Sequence, residues 1–212
     1  MIYEMRTYDL KPRALPEVEK RFGEAYEKRK KYSELAAFWH TEIGPLNQII
    51  HVWGYKDLEE RAKVREAAVK DGAWPPKISE FIVSQQSAIM IPFSFMKEFP
   101  KGNQGPFFEI RTYHFCGGEL PTIKKNWESA IGVRLEFGPV TAVWSCELGK
   151  VNTFQHIWPY KSLDQREEIR KKAQATGLWP AGKKAVKEGG RDYELVMQEN
   201  KIVVPSSFSP LQ

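Results

Sequence analysis

The second half of the chain repeats the first at a constant offset of 105 positions. Glu4-Met5-Arg6-Thr7-Tyr8 returns as Glu109-Ile110-Arg111-Thr112-Tyr113. Asn47, His51, Trp53, Tyr55, Lys56, Leu58, Arg61 and Arg65 return as Asn152, His156, Trp158, Tyr160, Lys161, Leu163, Arg166 and Arg170. Gly72, Trp74 and Pro75 return as Gly177, Trp179 and Pro180. Roughly a third of the first ~75 positions are identical, with no gap. A repeat of this length means one supersecondary unit used twice, so any pocket should lie on the pseudo-axis or be doubled about it.

With 212 residues, each copy has about 100, enough for a core of its own. The net charge is +5, and much of it sits in runs such as Lys28-Arg29-Lys30-Lys31, which read as solvated helix faces. No nucleic-acid module accompanies them, so nucleic acid is not an expected partner. The two cysteines, Cys116 and Cys146, have no counterparts in the first copy, where Lys11 and Thr41 stand. They form no shared disulfide framework, and a reducing compartment follows. No basic-then-apolar leader opens the sequence, and no run approaches the ~18 apolar residues of a membrane helix, so neither secretion nor a membrane is expected. A cytoplasmic location is the expectation.

Each copy reads as strand, helix, strand, strand, helix, strand. Residues 2–8 and 107–113 alternate in polarity, as strands do. Leu15, Val18, Phe22, Ala25, Tyr26 and Arg29 recur at helical spacing, with Leu120, Ile123, Trp127, Ala130 and Arg134 as their counterparts. Pro16 and Pro121 suit a first helical turn. Two strands, 35–43 and 46–55, meet tightly at Gly44-Pro45, which predicts an antiparallel hairpin. Asp57-Leu58-Glu59-Glu60 and Ser162-Leu163-Asp164-Gln165 are capping-box sequences, and Gly72 and Gly177 suit helix ends. Last strands are expected at 81–91 and 193–204, stopped by Pro92 and Pro205. The offset there has grown to 113, placing about eight extra residues within 183–192.

This order is the split βαβ, ferredoxin-like arrangement, with both helices on one face of a four-stranded sheet. The other, bare face needs a partner, and the second copy supplies it. The predicted fold is therefore α+β: two tandem ferredoxin-like βαββαβ units whose antiparallel sheets pack into a dimeric-type α+β barrel within one chain. The expected units are residues 1–96 and 107–212, with residues 97–106 as linker.

Tyr3-Glu4-Met5-Arg6-Thr7-Tyr8-Asp9-Leu10-Lys11-Pro12 resembles the start of a NIPSNAP domain, as does the later block from His51 to Arg61. The resemblance covers nearly the whole chain as two tandem copies. The second is looser, with His114-Phe115-Cys116-Gly117 where Asp9-Leu10-Lys11-Pro12 stood. It implies the dimeric α+β barrel superfamily, in agreement with the residue pattern. That superfamily includes cofactor-free monooxygenases, haem-dependent dismutases and peroxidases, and small-ligand binders; fold alone selects none of them.

Two trios, Glu4, Arg6, Tyr8 and Glu109, Arg111, Tyr113, share one strand face each, opposite the apolar set expected to meet the helices. That assigns them to the barrel interior, where the arginine could fork onto a carboxylate or phosphate. The competing reading is an internal Glu–Arg ion pair. His51, Trp53, Tyr55 and His156, Trp158, Tyr160 share a face by period two, and the histidine could be acid, base or haem ligand. The competing reading is a hydrogen-bonded core histidine. His-x-Trp-x-Tyr lacks companion ligands at metal spacing, so no metal is expected. Arg61, Arg65, Arg166 and Arg170 are expected to pair with carboxylates such as Glu42 and Glu147. Asn47 and Asn152 suit turn capping. Phosphate loops, a Ser-His-Asp order and Cys-x-x-Cys are absent, so no cofactor is expected.

These residues fix no reaction. The expected function is a small-molecule-binding barrel of unknown substrate, a cofactor-free or haem-dependent oxidoreductase by superfamily analogy. Its cavity is expected between the half-sheets, lined by Arg6, Tyr8, His51, Tyr55 and their counterparts, with unequal occupancy of the two halves. The alternative is a non-catalytic interaction protein that builds homo-oligomers.

Overall fold

A computed structural model describes residues 1–96 and 98–212. Lys97, first residue of the expected linker, lies outside the described residues. The first copy folds as β1 (Ile2–Leu10), α1 (Leu15–Arg29), β2 (Leu35–Ile43), β3 (Gln48–Tyr55), α2 (Leu58–Lys70) and β4 (Ile82–Pro92). The second folds as β5 (Phe107–Phe115), α3 (Leu120–Leu135), β6 (Ala142–Leu148), β7 (Thr153–Tyr160), α4 (Leu163–Ala175), α5 (Ala181–Lys187) and β8 (Leu195–Pro205). The extra residues of the second copy thus fold as α5 and the turn after it.

Local chemistry fixes these elements. Pro16 and Pro121 sit in the first turns of α1 and α3. Asp57 accepts from the Glu60 backbone N–H at 2.9 Å, and Ser162 from that of Gln165 at 3.1 Å, so α2 and α4 start on side-chain caps. Each box closes on the residue before the cap: the Glu60 carboxylate accepts from Lys56 N–H, and Gln165 Oε1 from Lys161 N–H. Both hairpins need positive φ: Gly44 at 124° and Asn47 at 56°, Gly149 at 130° and Asn152 at 54°.

The eight strands close into one antiparallel barrel in the order β1-β3-β2-β8-β5-β7-β6-β4, with β4 returning to β1. The two half-sheets join edge to edge. β2 pairs β8 from Trp39↔Pro205 to Ile43↔Ile202, and β4 pairs β6 from Ile89↔Leu148 to Pro92↔Trp144. Among the described residues the closed barrel leaves no free sheet edge for strand addition. β1 and β5 run in the same direction, so the pseudo-twofold lies along the barrel axis and both hairpins rim the same mouth.

Three apolar clusters follow from this closure. Tyr3, Met5, Trp39, Val52, Phe108, Ile110, Trp144 and Val203 fill the barrel interior. Outside it, Val18 and Phe22 pack on Phe38, Ile49 and Trp53, while Ile123 and Trp127 pack on Val143, Phe154 and Trp158. The tails cross between copies. Phe93 and Phe95, which follow β4, join the helix layer of the second copy, and Phe208, which follows β8, joins that of the first, its ring 4.8 Å from Phe38.

Candidate functional site

The structure brings each group of six candidate residues together, but on the opposite side of the sheet from that expected. Register places Arg6 opposite His51, Glu4 opposite Trp53, Arg111 opposite His156 and Glu109 opposite Trp158. All twelve face the helices. The interior is taken by the other set, Tyr3 and Met5 in β1 and Phe108 and Ile110 in β5. The expectation followed from giving the more apolar face to the helices. The drier space is in fact the barrel axis, ringed by eight strands, so the apolar set goes there. The helix side can hold charge because α2 and α4 bring arginines to neutralise it.

Those arginines are Arg61, Arg65, Arg166 and Arg170, and their carboxylates are Glu4 and Glu109 rather than Glu42 and Glu147. Glu4 is fully buried. Its Oε1 accepts from Arg6 at 2.8 Å, Arg61 at 2.7 Å and Ser87 at 2.8 Å, and Arg65 Nη1 lies 3.7 Å from Oε2. Glu109 is equally buried and accepts from Arg111 at 3.1 Å, Arg166 at 2.5 Å and Asn200 at 3.1 Å, with Arg170 at 3.9 Å. Burial pushes the Glu4 carboxyl upward, but hydrogen bonds from Arg61, Arg6 and Ser87 outweigh it and hold the pKa at about 2. Burial likewise opposes, and the Arg166 hydrogen bond with the charges of Arg111, Arg166 and Arg170 wins, at Glu109. The internal Glu–Arg pair weighed from sequence is therefore present in both copies.

The pair is part of a larger constellation. Arg29 and Arg134, at the ends of α1 and α3, are almost fully buried. Their guanidiniums lie over the rings of Trp53 and Trp158, 4.8 and 4.1 Å from the centroids, and donate to the hydroxyls of Tyr55 and Tyr160. Neither makes a salt bridge among the described residues. Arg29 Nε and Nη1 and Arg134 Nη1 are buried without a hydrogen-bond partner. Sequence reasoning placed these two arginines on the core stripe of their helices, and Arg29 is the member of the Lys28–Lys31 run that does not belong to a solvated face. Their recurrence at equivalent buried positions was the available signal that they do more.

Each histidine has one engaged nitrogen. Trp53 Nε1 donates to His51 Nδ1 at 2.7 Å, and Trp158 Nε1 to His156 Nδ1 at 2.5 Å. Indole can only donate, so Nδ1 is the acceptor and the proton of the neutral ring sits on Nε2. Both Nε2 atoms are buried without a partner. Burial first, and the charge of Arg6 second, hold His51 down at about 3. Burial, Arg111, Arg170 and Arg134 hold His156 well below its ordinary value. Both rings are therefore neutral at physiological pH and present an N–H.

In the second copy this arrangement encloses a cavity of about 190 Å³ between the sheet and α3, α4 and the segment before β8. Arg111, Arg134 and Arg170 line it, with His156, Trp127, Trp158 and Trp179 among its walls and no carboxylate. Haem does not fit. The cavity is far smaller than a tetrapyrrole, and the nitrogen facing it carries the proton instead of a lone pair. No group of three or more metal-binding side chains occurs among the described residues.

The closed α+β barrel of two ferredoxin-like halves is a fold that this chain shares with solved structures. A structure described as a putative monooxygenase from Lactobacillus acidophilus superposes with a TM-score of 0.64 at 10% identity, covering 96% of this chain and 93% of that one. Another so described, from Fusobacterium nucleatum, gives 0.61 at 8% identity, covering 96% and 91%. At these identities the likeness is one of fold. The NIPSNAP family model matches residues 3–97 and 108–210, so the chain belongs to the NIPSNAP family. Protein NipSnap homolog 3B of Homo sapiens is 30% identical over 220 residues, spanning 99% of this chain and 85% of that protein.

Proposed function

We propose that the protein binds a small planar organic anion in the cavity between the second half-sheet and α3 and α4. One observation carries this: three arginines and an unpartnered histidine N–H converge on a cavity without a carboxylate. Three guanidiniums, Arg111, Arg166 and Arg170, share the single carboxylate of Glu109, and the buried Arg134 has no salt bridge among the described residues, so the site holds a surplus of positive charge. An anion offsets that surplus and accepts from His156 Nε2 and Arg134. The indole walls favour a flat body, and about 190 Å³ suits one substituted ring.

Oxygenase chemistry, by analogy with the two putative monooxygenases, would use the same site to hold a substrate as its anion. It would also need a base to create that anion. His156 offers a proton instead of taking one, so the reading adopted is binding of a ligand already ionised.

Salicylate is a suitable probe, read through tryptophan fluorescence because three indoles line the cavity. Saturable quenching is expected, with salicylamide at least tenfold weaker and Arg170→Gln weakening salicylate at least tenfold, about 1.4 kcal/mol. Equal affinity for acid and amide, or full affinity in a folded Arg170→Gln protein, would sink the proposal.

A further inference from the structure

At the hairpin end the barrel opens into a chamber of about 640 Å³ on the pseudo-axis, separate from the site beneath the helices. Its deeper wall is apolar and pliant, formed by Met5, Met90, Ile110 and Ala88. Its rim is polar, and there the two copies have diverged. Along one half, Lys201 Nζ donates to Gln48 Oε1 at 2.6 Å, Gln48 Nε2 donates to Asp9 Oδ1 at 2.7 Å, and Ser84 donates to Asp9 Oδ2. Along the other, His114 Nε2 pairs with Glu199 at 3.0 Å, with Lys150 Nζ 3.8 Å from the same oxygen. The equivalents of Lys201 and His114 in the first copy are Ala88 and Asp9.

Lys201 stands out because its charge is unanswered. It makes no salt bridge among the described residues, and its one hydrogen bond there goes to a neutral amide. Asp9 is held away by that amide and already accepts from Gln48 and Ser84, while Glu199 is engaged by His114. Burial holds the Lys201 pKa below its ordinary value, against the opposing pull of Glu199 and Asp9. Inside the barrel two further donors, Trp39 Nε1 and Thr41 Oγ1, are buried without a partner. The corresponding Trp144 Nε1 donates to Gln155 Oε1 at 3.1 Å, and Ile50 replaces that glutamine in the first copy. Lys201 thus presents a cation without a salt bridge among the described residues on one side of a cavity with an aliphatic floor, while Glu199, which also lines it, is held by His114.

We infer that this chamber is a second ligand site, for a small carboxylate with an aliphatic body, its head on Lys201 and its chain against Met5, Met90 and Ile110. The carboxylate supplies the counter-charge that the protein withholds, and the flexible floor accepts a chain without demanding one shape.

Hexanoate titrated calorimetrically into the full chain tests this. Saturable binding is expected, at least tenfold tighter than for hexanamide. It should fall at least tenfold in Lys201→Gln and stay within about threefold of the original in Lys201→Arg. Amide resonance shifts should centre on Thr112, Gln86 and Lys201 in the unsubstituted protein, which tests the location even if a variant fails to fold. Lys201→Gln should leave salicylate binding intact, and Arg170→Gln should leave hexanoate binding intact, so each site can fail alone. No hexanoate binding, equal binding of the amide, full binding by folded Lys201→Gln, or shifts centred on α3 and α4 would each overturn the inference.

Discussion

At the scale of single residues, the two buried glutamates and two buried histidines set the electrostatics. Glu4 anchors Arg6, Arg61 and Arg65, so Glu4→Gln should leave three half-buried guanidiniums without their shared counter-charge and cost about 3 kcal/mol in denaturant unfolding. The histidines make stability depend on acid. In the unfolded chain a histidine protonates as pH falls through about 6.5, whereas folded His51 resists down to about 3. Between those values the unfolded state binds more protons, so the stability present above pH 6.5 is lost as pH drops toward 3. The slope should reach about 1.4 kcal/mol per pH unit for each such histidine. His40, raised by its bond to Glu19, acts in the opposite sense. A His51→Gln, His156→Gln double variant should therefore flatten the profile between pH 6 and 4; an unchanged slope would contradict the neutral, buried assignment. Sequence alone was enough to group these residues, because alternation and repetition both mark them. It did not reveal the tautomer, which depends on an indole two positions along the strand turning back onto the ring.

At the scale of elements, local rules were legible and facing was not. Capping boxes, first-turn prolines and hairpin asparagines act within a few residues, so Asp57, Pro16 and Asn47 announce their roles directly. Asp57→Ala should cost about 1 kcal/mol in thermal or chemical unfolding, since one side chain closes the start of α2. Which side of β1 meets the helices is decided by another element. Glu4 faces α2 because α2 carries Arg61 and Arg65, and Met5 faces inward because seven other strands complete a dry axis. Neither fact lies within residues 2–8. The arginines of α2 and α4 pass over Glu42 and Glu147, the acids expected from sequence, for partners on strands more than fifty positions away.

At the scale of the whole molecule, two seams and two crossing tails bind the halves. The β2–β8 and β4–β6 ladders close the barrel, while Phe93 and Phe208 complete the helix layers of the opposite copy. A fragment of residues 1–96 should leave the edges of β2 and β4 and the face of Met5 and Trp39 uncovered. It should therefore self-associate into a dimer rebuilding the barrel, measurable by light scattering; a folded monomer would show that the seams are dispensable. That the two copies cover each other was legible in the repeat. The manner of closure, edge to edge around an axis, comes from β4 and β8 reaching past their own sheets, which no local pattern encodes.

The unequal rim of the barrel, where the second copy has Lys201 and His114 and the first has Ala88 and Asp9 at the equivalent positions, would be unattainable in an assembly of two identical chains. There, every mutation is stamped on both sides of the axis at once, and a lysine in the mouth would meet its own image. Joining the halves covalently frees each to mutate alone, so one can retain the ancestral surface while the other explores a new one.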